Sequence, residues 1–245
     1  MPDLRLGVRA RDYVYALRHE ARALLGPRTD PSRLLRGRDA PDAEPARGPV
    51  LLLPGIYETW RFLEPLGHHV AEAGHPVHVV PALGVNRRRV DDAARRVARY
   101  LENHDLTDVV LVAHSKGGLI GKTVMLGPSG GRVAGMVAVA TPWEGSVYAG
   151  YFPPGSAVRH LAPSDRRLRR LARERAVNAR IVAVAPAWDP HIPGSGALPG
   201  ARRTVRLAGS GHFRVLDDAD LLETVRSSVL ELGDLGEPRD PPTPA

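Results

Sequence analysis

From Val50 onward, short apolar runs alternate with segments whose apolar positions recur every three or four residues. The runs near Val50–Leu53, Val77–Val80, Val109–Val112, Met136–Ala140, Ile181–Ala185 and Thr204–Leu207 predict strands. The segments near Phe62–Ala73, Val90–Asn103, Ser115–Met125 and Ala219–Leu232 predict helices. Strict alternation of this kind predicts an α/β fold, a mostly parallel sheet flanked by helices. The strand segments read as apolar on both faces, as in a sheet covered on both sides.

Outside this alternation the pattern changes three times. Residues 10–25 predict a helix with Val14, Leu17, Ala21 and Leu24 on one face and Arg11, Arg18 and Arg22 elsewhere around it. Such a helix either docks its apolar face on the neighbouring domain, the favoured reading, or lies on an anionic membrane surface. Together with the Pro/Gly/Arg-rich stretch that follows, it forms an N-terminal arm and linker over residues 1–47, ahead of a core domain over 48–232. Within the core, residues 143–180 interrupt the alternation with an aromatic, Gly/Pro-rich stretch and then a basic helical one around Arg166–Arg175. An insertion after the strand ending at Ala140 falls at the carboxyl edge of the sheet, so it reads as a small lid. Residues 233–245 read as a frayed tail.

Composition narrows the classes. At 245 residues the chain can bury one substantial core but not two comparable ones. It holds no cysteine, which excludes disulfides and thiolate metal sites and fits a cytoplasmic setting. No apolar stretch has the length or flanks of a signal peptide or a membrane span. The net charge of +7 is almost wholly arginine, since Lys116 and Lys122 are the only lysines. These arginines are dispersed and no nucleic-acid module is present, so the charge argues against a nucleic-acid partner. Peripheral contact with an anionic membrane stays open, and oligomeric state is not legible.

The candidate chemistry begins where a strand ends. In Ala113-His114-Ser115-Lys116-Gly117-Gly118 the serine follows an apolar strand and opens a helix. A serine in such a strained turn projects its hydroxyl above the sheet, provided the residues two before and two after it are small. Ala113 and Gly117 meet that condition. A serine nucleophile needs a base and a group to orient the base. Asp189 follows the strand Ile181–Ala185, and His212 follows the strand ending near Leu207 in Gly209-Ser210-Gly211-His212. All three would stand at one edge of a parallel sheet. An oxyanion would need two backbone N–H groups, assigned to Lys116 at the helix start and to Ile56 in the loop Pro54-Gly55-Ile56. Trp60, Trp143 and Trp188 each lie past a strand end, and with Tyr57, Tyr148, Tyr151 and Phe152 they are candidates for an apolar substrate wall. The alternative for each tryptophan is a brace over the core.

These residues resemble the α/β-hydrolases, in the bacterial triacylglycerol lipase and esterase group. The family's HG-x oxyanion loop is matched as Pro54-Gly55-Ile56, its G-H-S-x-G-G elbow as Ala113 to Gly118, and its T-P-H-x-G-S segment as Thr141 to Ser146. The acid loop and the G-x-G-H before the last helix are matched at Asp189 and at Gly209 to His212. Pro54 and Trp143 replace the usual histidines, and a helical arm stands where opening antiparallel strands are common. The resemblance implies an α/β-hydrolase fold and hydrolysis of carboxylic esters with apolar groups, through Ser115, His212 and Asp189 and an acyl-enzyme, without metal or organic cofactor. The alternatives are a thioesterase or acyltransferase using the same residues, and a non-catalytic hydrolase-fold protein that binds lipid or membrane.

Overall fold

The computed structural model describes residues 2–25, 47–193 and 196–234, with the side chains of the first helix described over 7–21. Six strands, β1 (Val50–Leu53), β2 (Val77–Val79), β3 (Val109–His114), β4 (Val133–Val139), β5 (Ile181–Ala185) and β6 (Arg203–Arg206), form one sheet in the order β2-β1-β3-β4-β5-β6. Every pairing is parallel. Among the described residues six α-helices accompany them: α1 (Pro2–Leu25), α2 (Glu64–Glu72), α3 (Val90–Asn103), α4 (Lys116–Leu126), α5 (Arg166–Arg173) and α6 (Ala219–Gly233).

The period-2 geometry of the strands divides the core between the two faces. Leu51, Leu53, Leu111, Ala113, Met136 and Ala138 face one way and pack with residues of α3 and α4 such as Val97, Leu101, Leu119 and Ile120. Val50, Leu52, Val110, Val112, Val137 and Val139 face the other way, against Leu66 and Val70 of α2 and Leu221, Val225 and Val229 of α6. The chain steps outward from β1 to β2, then returns to place β3 on the other side of β1. At such a reversal the connections leave in opposite directions and open a crevice at the carboxyl ends of the two strands. The loop after β1 and the turn after β3 therefore face each other there.

Two expectations are corrected. The last strand is not apolar on both faces: Arg203, Thr204 and Arg206 of β6 are exposed. As the sheet's edge it has a neighbour on one side, and charge there opposes pairing with another chain. Arg203 donates instead to Ser228 Oγ at 2.9 Å and pairs with Glu231 on α6. The first helix does dock, but not through its apolar face. Val14 and Leu17 are 47% and 65% exposed, whereas Asp12 is fully buried and Tyr15, Ala16 and His19 are half-buried. These inward positions share a helical spacing of three to four residues, so the docking face is largely polar. The residues assigned to the linker from 26 to 46 and to the tail from 235 to 245 lie outside the described residues.

The 143–180 segment forms two short 3-10 turns, Val147–Tyr151 and Val158–Leu161, before α5. Asp165 caps α5, its carboxylate accepting from the N–H groups of Arg167 and Leu168. Leu161 and Leu168 carry this segment onto the α4 side of the core. No helix of the described residues is long and apolar enough to cross a membrane.

Candidate active site

Ser115 is the pivot between β3 and α4, at φ 51° and ψ −122°. A non-glycine residue at that φ is strained, and the surrounding packing must enforce it. Two contacts show how close the packing is. A Cβ on Gly117 would land inside the contact distance of the Leu53 carbonyl, and one on Gly118 would collide with the Thr141 side chain. Gly117 thus lets the start of α4 sit directly against the end of β1, and Gly118 lets it sit against Thr141 beyond β4. The Ser115 N–H donates to Val139 O at 2.8 Å, which ties the turn to β4.

The structure brings Ser115, His212 and Asp189 together. Ser115 Oγ lies 3.0 Å from His212 Nε2, and His212 Nδ1 lies 2.7 Å from Asp189 Oδ2. An ionised carboxylate can only accept, so Nδ1 carries the proton and Nε2 is free to accept from the serine hydroxyl. All three residues are 4% exposed. Asp189 is itself fixed: its Oδ1 accepts from the N–H groups of His191 at 2.8 Å and Ile192 at 2.9 Å. Burial alone would raise its pKa, but the facing His212 and these two donors hold it below the usual aspartate range. Backbone bonds from Ala187 N to Gly209 O and from Gly211 N to Trp188 O join the acid loop to the histidine loop.

Of the two assigned oxyanion amides, that of Lys116 is at the first position of α4, where an N–H has no intrahelical acceptor. In the facing loop, Gly55 N is committed to Glu58 Oε2 at 2.6 Å, and the next amide along is that of Ile56. The Lys116 side chain turns the other way. It is buried, and its Nζ donates to Asn86 O at 2.8 Å and to Arg88 O. Asn86 in turn donates from Nδ2 to Pro54 O at 2.7 Å, so the lysine braces the β1 loop through a neighbouring turn. Burial pushes the Lys116 amine down to about 8.

The assigned aromatic wall divides. Tyr57, Tyr148 and Phe152 are exposed, and Tyr151 is 87% exposed. Trp188 is half-buried, with the Arg9 guanidinium 5.9 Å from its ring centroid. Trp60 packs against the α2 and α6 side of the core. Trp143 lies within the α4 side of the core at 5% exposure, with Lys122 Nζ 5.8 Å from its ring centroid, a position that suits its bracing alternative. Two surface clefts, of about 560 Å³ beside α5 and about 720 Å³ beside α1, are lined by neither Ser115 nor His212. Among the described residues no group of three or more His, Asp or Glu side chains is arranged to hold a metal ion.

Two carboxylates were not singled out from the sequence. Asp12 of α1 accepts from Phe213 N at 2.9 Å and Arg214 N at 3.0 Å, directly after His212, and its other oxygen is 3.3 Å from His191 Nε2. Glu58, behind the β1 loop, meets both Gly55 and His114. Each is an acid at a position whose neighbours bury it, and only the fold reveals that.

No protein-family model and no curated protein matches the chain. Solved structures do. Lipase BlEst2 of Bacillus licheniformis in its mature form superposes with a TM-score of 0.61 at 13% identity, covering 79% of this chain and 96% of the lipase. A metagenomic carboxyl esterase gives 0.52 at 20% identity, covering 82% of this chain and 80% of the esterase. The type II thioesterase BorB from the borrelidin biosynthetic cluster gives 0.52 at 18% identity, covering 79% and 95%. With the all-parallel sheet and its strand order, these likenesses show the α/β-hydrolase fold.

Proposed function

We propose that this α/β-hydrolase-fold chain is a serine hydrolase that cleaves carboxylic esters bearing apolar acyl or alcohol groups. The observation that carries this reading is the unbroken hydrogen-bonded line from Ser115 Oγ through the His212 imidazole to Asp189, starting on a strained turn. Ser115 Oγ attacks the ester carbonyl while His212 Nε2 takes its proton. Asp189 holds the Nδ1–H tautomer and stabilises the imidazolium that forms. The Ile56 and Lys116 amides receive the oxyanion. His212 then returns its proton to the departing alkoxide, leaving an acyl-serine. Water then attacks the acyl carbonyl, losing its proton to His212, which returns it to Ser115 Oγ as the acyl–Oγ bond breaks and the acid leaves. The exposed rings of Tyr57, Tyr148, Tyr151 and Phe152 are apolar surface suited to the acyl part.

A fluorophosphonate probe with peptide mapping tests the assignment. The label is expected on Ser115 alone, and Ser115→Ala is expected to lose nearly all turnover while keeping its unfolding midpoint. A label on Ser146 or Ser210 would refute the reading. A panel of matched oxygen esters and thioesters of graded chain length then fixes the substrate class.

A further inference from the structure

We propose that Glu58 and His114 form a buried positioning pair that locks the loop after β1, the serine turn and the histidine loop into one reactive arrangement. The proposal rests on the serine-hydrolase reading and adds to it two residues that touch none of the reacting atoms.

His114 is the last residue of β3 and precedes Ser115 in the chain. Glu58 lies three residues beyond Gly55, in the turn that follows β1. Both side chains are almost wholly buried. The Glu58 carboxylate accepts from Gly55 N at 2.6 Å and meets His114 Nδ1 at 2.8 Å through one oxygen and 3.0 Å through the other. On the far side of the ring, His114 Nε2 lies 3.0 Å from the backbone carbonyl oxygen of His212. The line therefore runs Gly55, Glu58, His114, His212. It joins the residue next to the proposed Ile56 oxyanion donor, the residue next to the nucleophile, and the base.

The chemistry of the two ends bears on the state of the ring. A carbonyl oxygen has no proton to give, so Nε2 must donate. The Glu58 carboxylate accepts from Gly55 N and faces Nδ1 with both oxygens, the arrangement of an acceptor, so we place a proton on Nδ1 as well. In that arrangement His114 is an imidazolium, its charge matched by Glu58. Burial alone would keep it neutral, but the Glu58 carboxylate and the His212 carbonyl outweigh burial and raise its pKa, with Asp189 adding to the same effect. The groups around it are the His212 ring at 4.8 Å between centroids and Phe213 at 6.0 Å. A buried ion pair is a poor source of stability compared with apolar packing of the same volume. What this one supplies is geometry: two donors in a rigid ring between loops that no backbone ladder connects.

Two measurements test this. In the wild-type protein with ¹⁵N-labelled histidine, assigned by comparison with His114→Gln, both His114 ring nitrogens are expected to carry protons at pH 8. A neutral His114 there overturns the proposal, and this reading needs no turnover. Glu58→Ala leaves Gly55 N and His114 without their acceptor. It is expected to lower kcat and the rate of phosphonate labelling by about 100-fold with little change in KM, as displacement of reacting groups by about 1 Å does. Glu58→Gln can accept from Gly55 N and donate to a neutral His114 that keeps its Nε2–H, so it is expected to restore kcat to within about threefold of wild type. A folded Glu58→Ala with wild-type kcat overturns the proposal. Absence of any label on wild-type Ser115 would instead sink the serine-hydrolase reading, leaving the histidine spectrum to judge the pair.

Discussion

The serine turn and the histidine loop hold the two halves of one hydrogen bond, yet they are held in place by different physics. The turn from Ala113 to Gly118 is set by sterics among neighbours in sequence and the strands beside them. Its φ of 51° is enforced because β3 must pass into α4 while α4 presses on the end of β1. The histidine loop has no such local necessity. It hangs from Asp189, 23 residues away, from His114, 98 away, and from Asp12, 201 away at its Phe213 contact. The serine can thus be placed by a short stretch of chain. Its histidine partner is placed by side chains gathered from the whole molecule, and changes far from Ser115 are expected to reach it.

The largest effect is expected at the turn itself. Gly117→Ala drives a methyl into the Leu53 carbonyl, and because the obstacle is the Leu53–Pro54 backbone it cannot swing aside. A loss of about 3 kcal/mol or more is expected, of the size of severe overpacking, read from the denaturant midpoint. A variant with native stability and activity would show that the turn is not held by sterics.

Next in size is Asp189→Asn. The asparagine Oδ1 can still accept from His191 and Ile192, so the loop stays folded. Its amide then faces His212 Nδ1 as a donor and favours the wrong tautomer. A fall in kcat on the order of 10²–10⁴ is expected with little change in melting temperature. Near wild-type kcat would mean that another group orients the base.

The smallest effect, and the sharpest test of remote control, is Asp12→Ala. It strands the Phe213 and Arg214 N–H groups, for an expected stability loss of about 1–3 kcal/mol. Because the same bonds steer the residue after His212, kcat is expected to fall by about 3- to 10-fold as well. The pH dependence follows from its charge. Burial would raise the Asp12 pKa, but His191 and the backbone donors of the histidine loop lower it overall. Its stabilisation is therefore complete above the ordinary aspartate range and is lost as pH falls through the lower folded value. The stability gap between wild type and Asp12→Ala is expected to close on acidification. A gap that stays constant through that window would mean that the carboxylate charge contributes nothing.

How much of this was legible in the sequence depended on how local each cause is. The strands β1, β3, β4 and β5 stood out as mostly apolar runs, β2 was located although His78 interrupts it, and α3 was bounded at Val90 and Asn103 by its own periodicity. β6 was located, yet its exposure was not foreseen, because Arg203 and Arg206 become an edge only when no seventh strand pairs with them. The first helix misled for a related reason. Val14 and Leu17 make a plausible docking stripe, but the surface α1 meets is a loop that presents the Phe213 and Arg214 N–H groups, which a buried carboxylate satisfies and leucine would not. Trp143 was a candidate for the substrate wall by its place past a strand end; the turn that follows carries it inward.

The sequence by itself determined the parallel α/β scaffold, the strained serine turn, and the order in which Ser115, Asp189 and His212 arrive at one edge of the sheet. Each of these follows from periodicity, side-chain volume or the rule that parallel strands share an end. Only the tertiary structure decided which side chains hold the histidine loop, which tryptophan is buried in the core and which aromatic rings stay open to solvent, and that His114 meets Glu58. Those depend on which groups meet across the molecule, because a buried donor or charge selects its partner by proximity after folding, and one-dimensional order carries no distance.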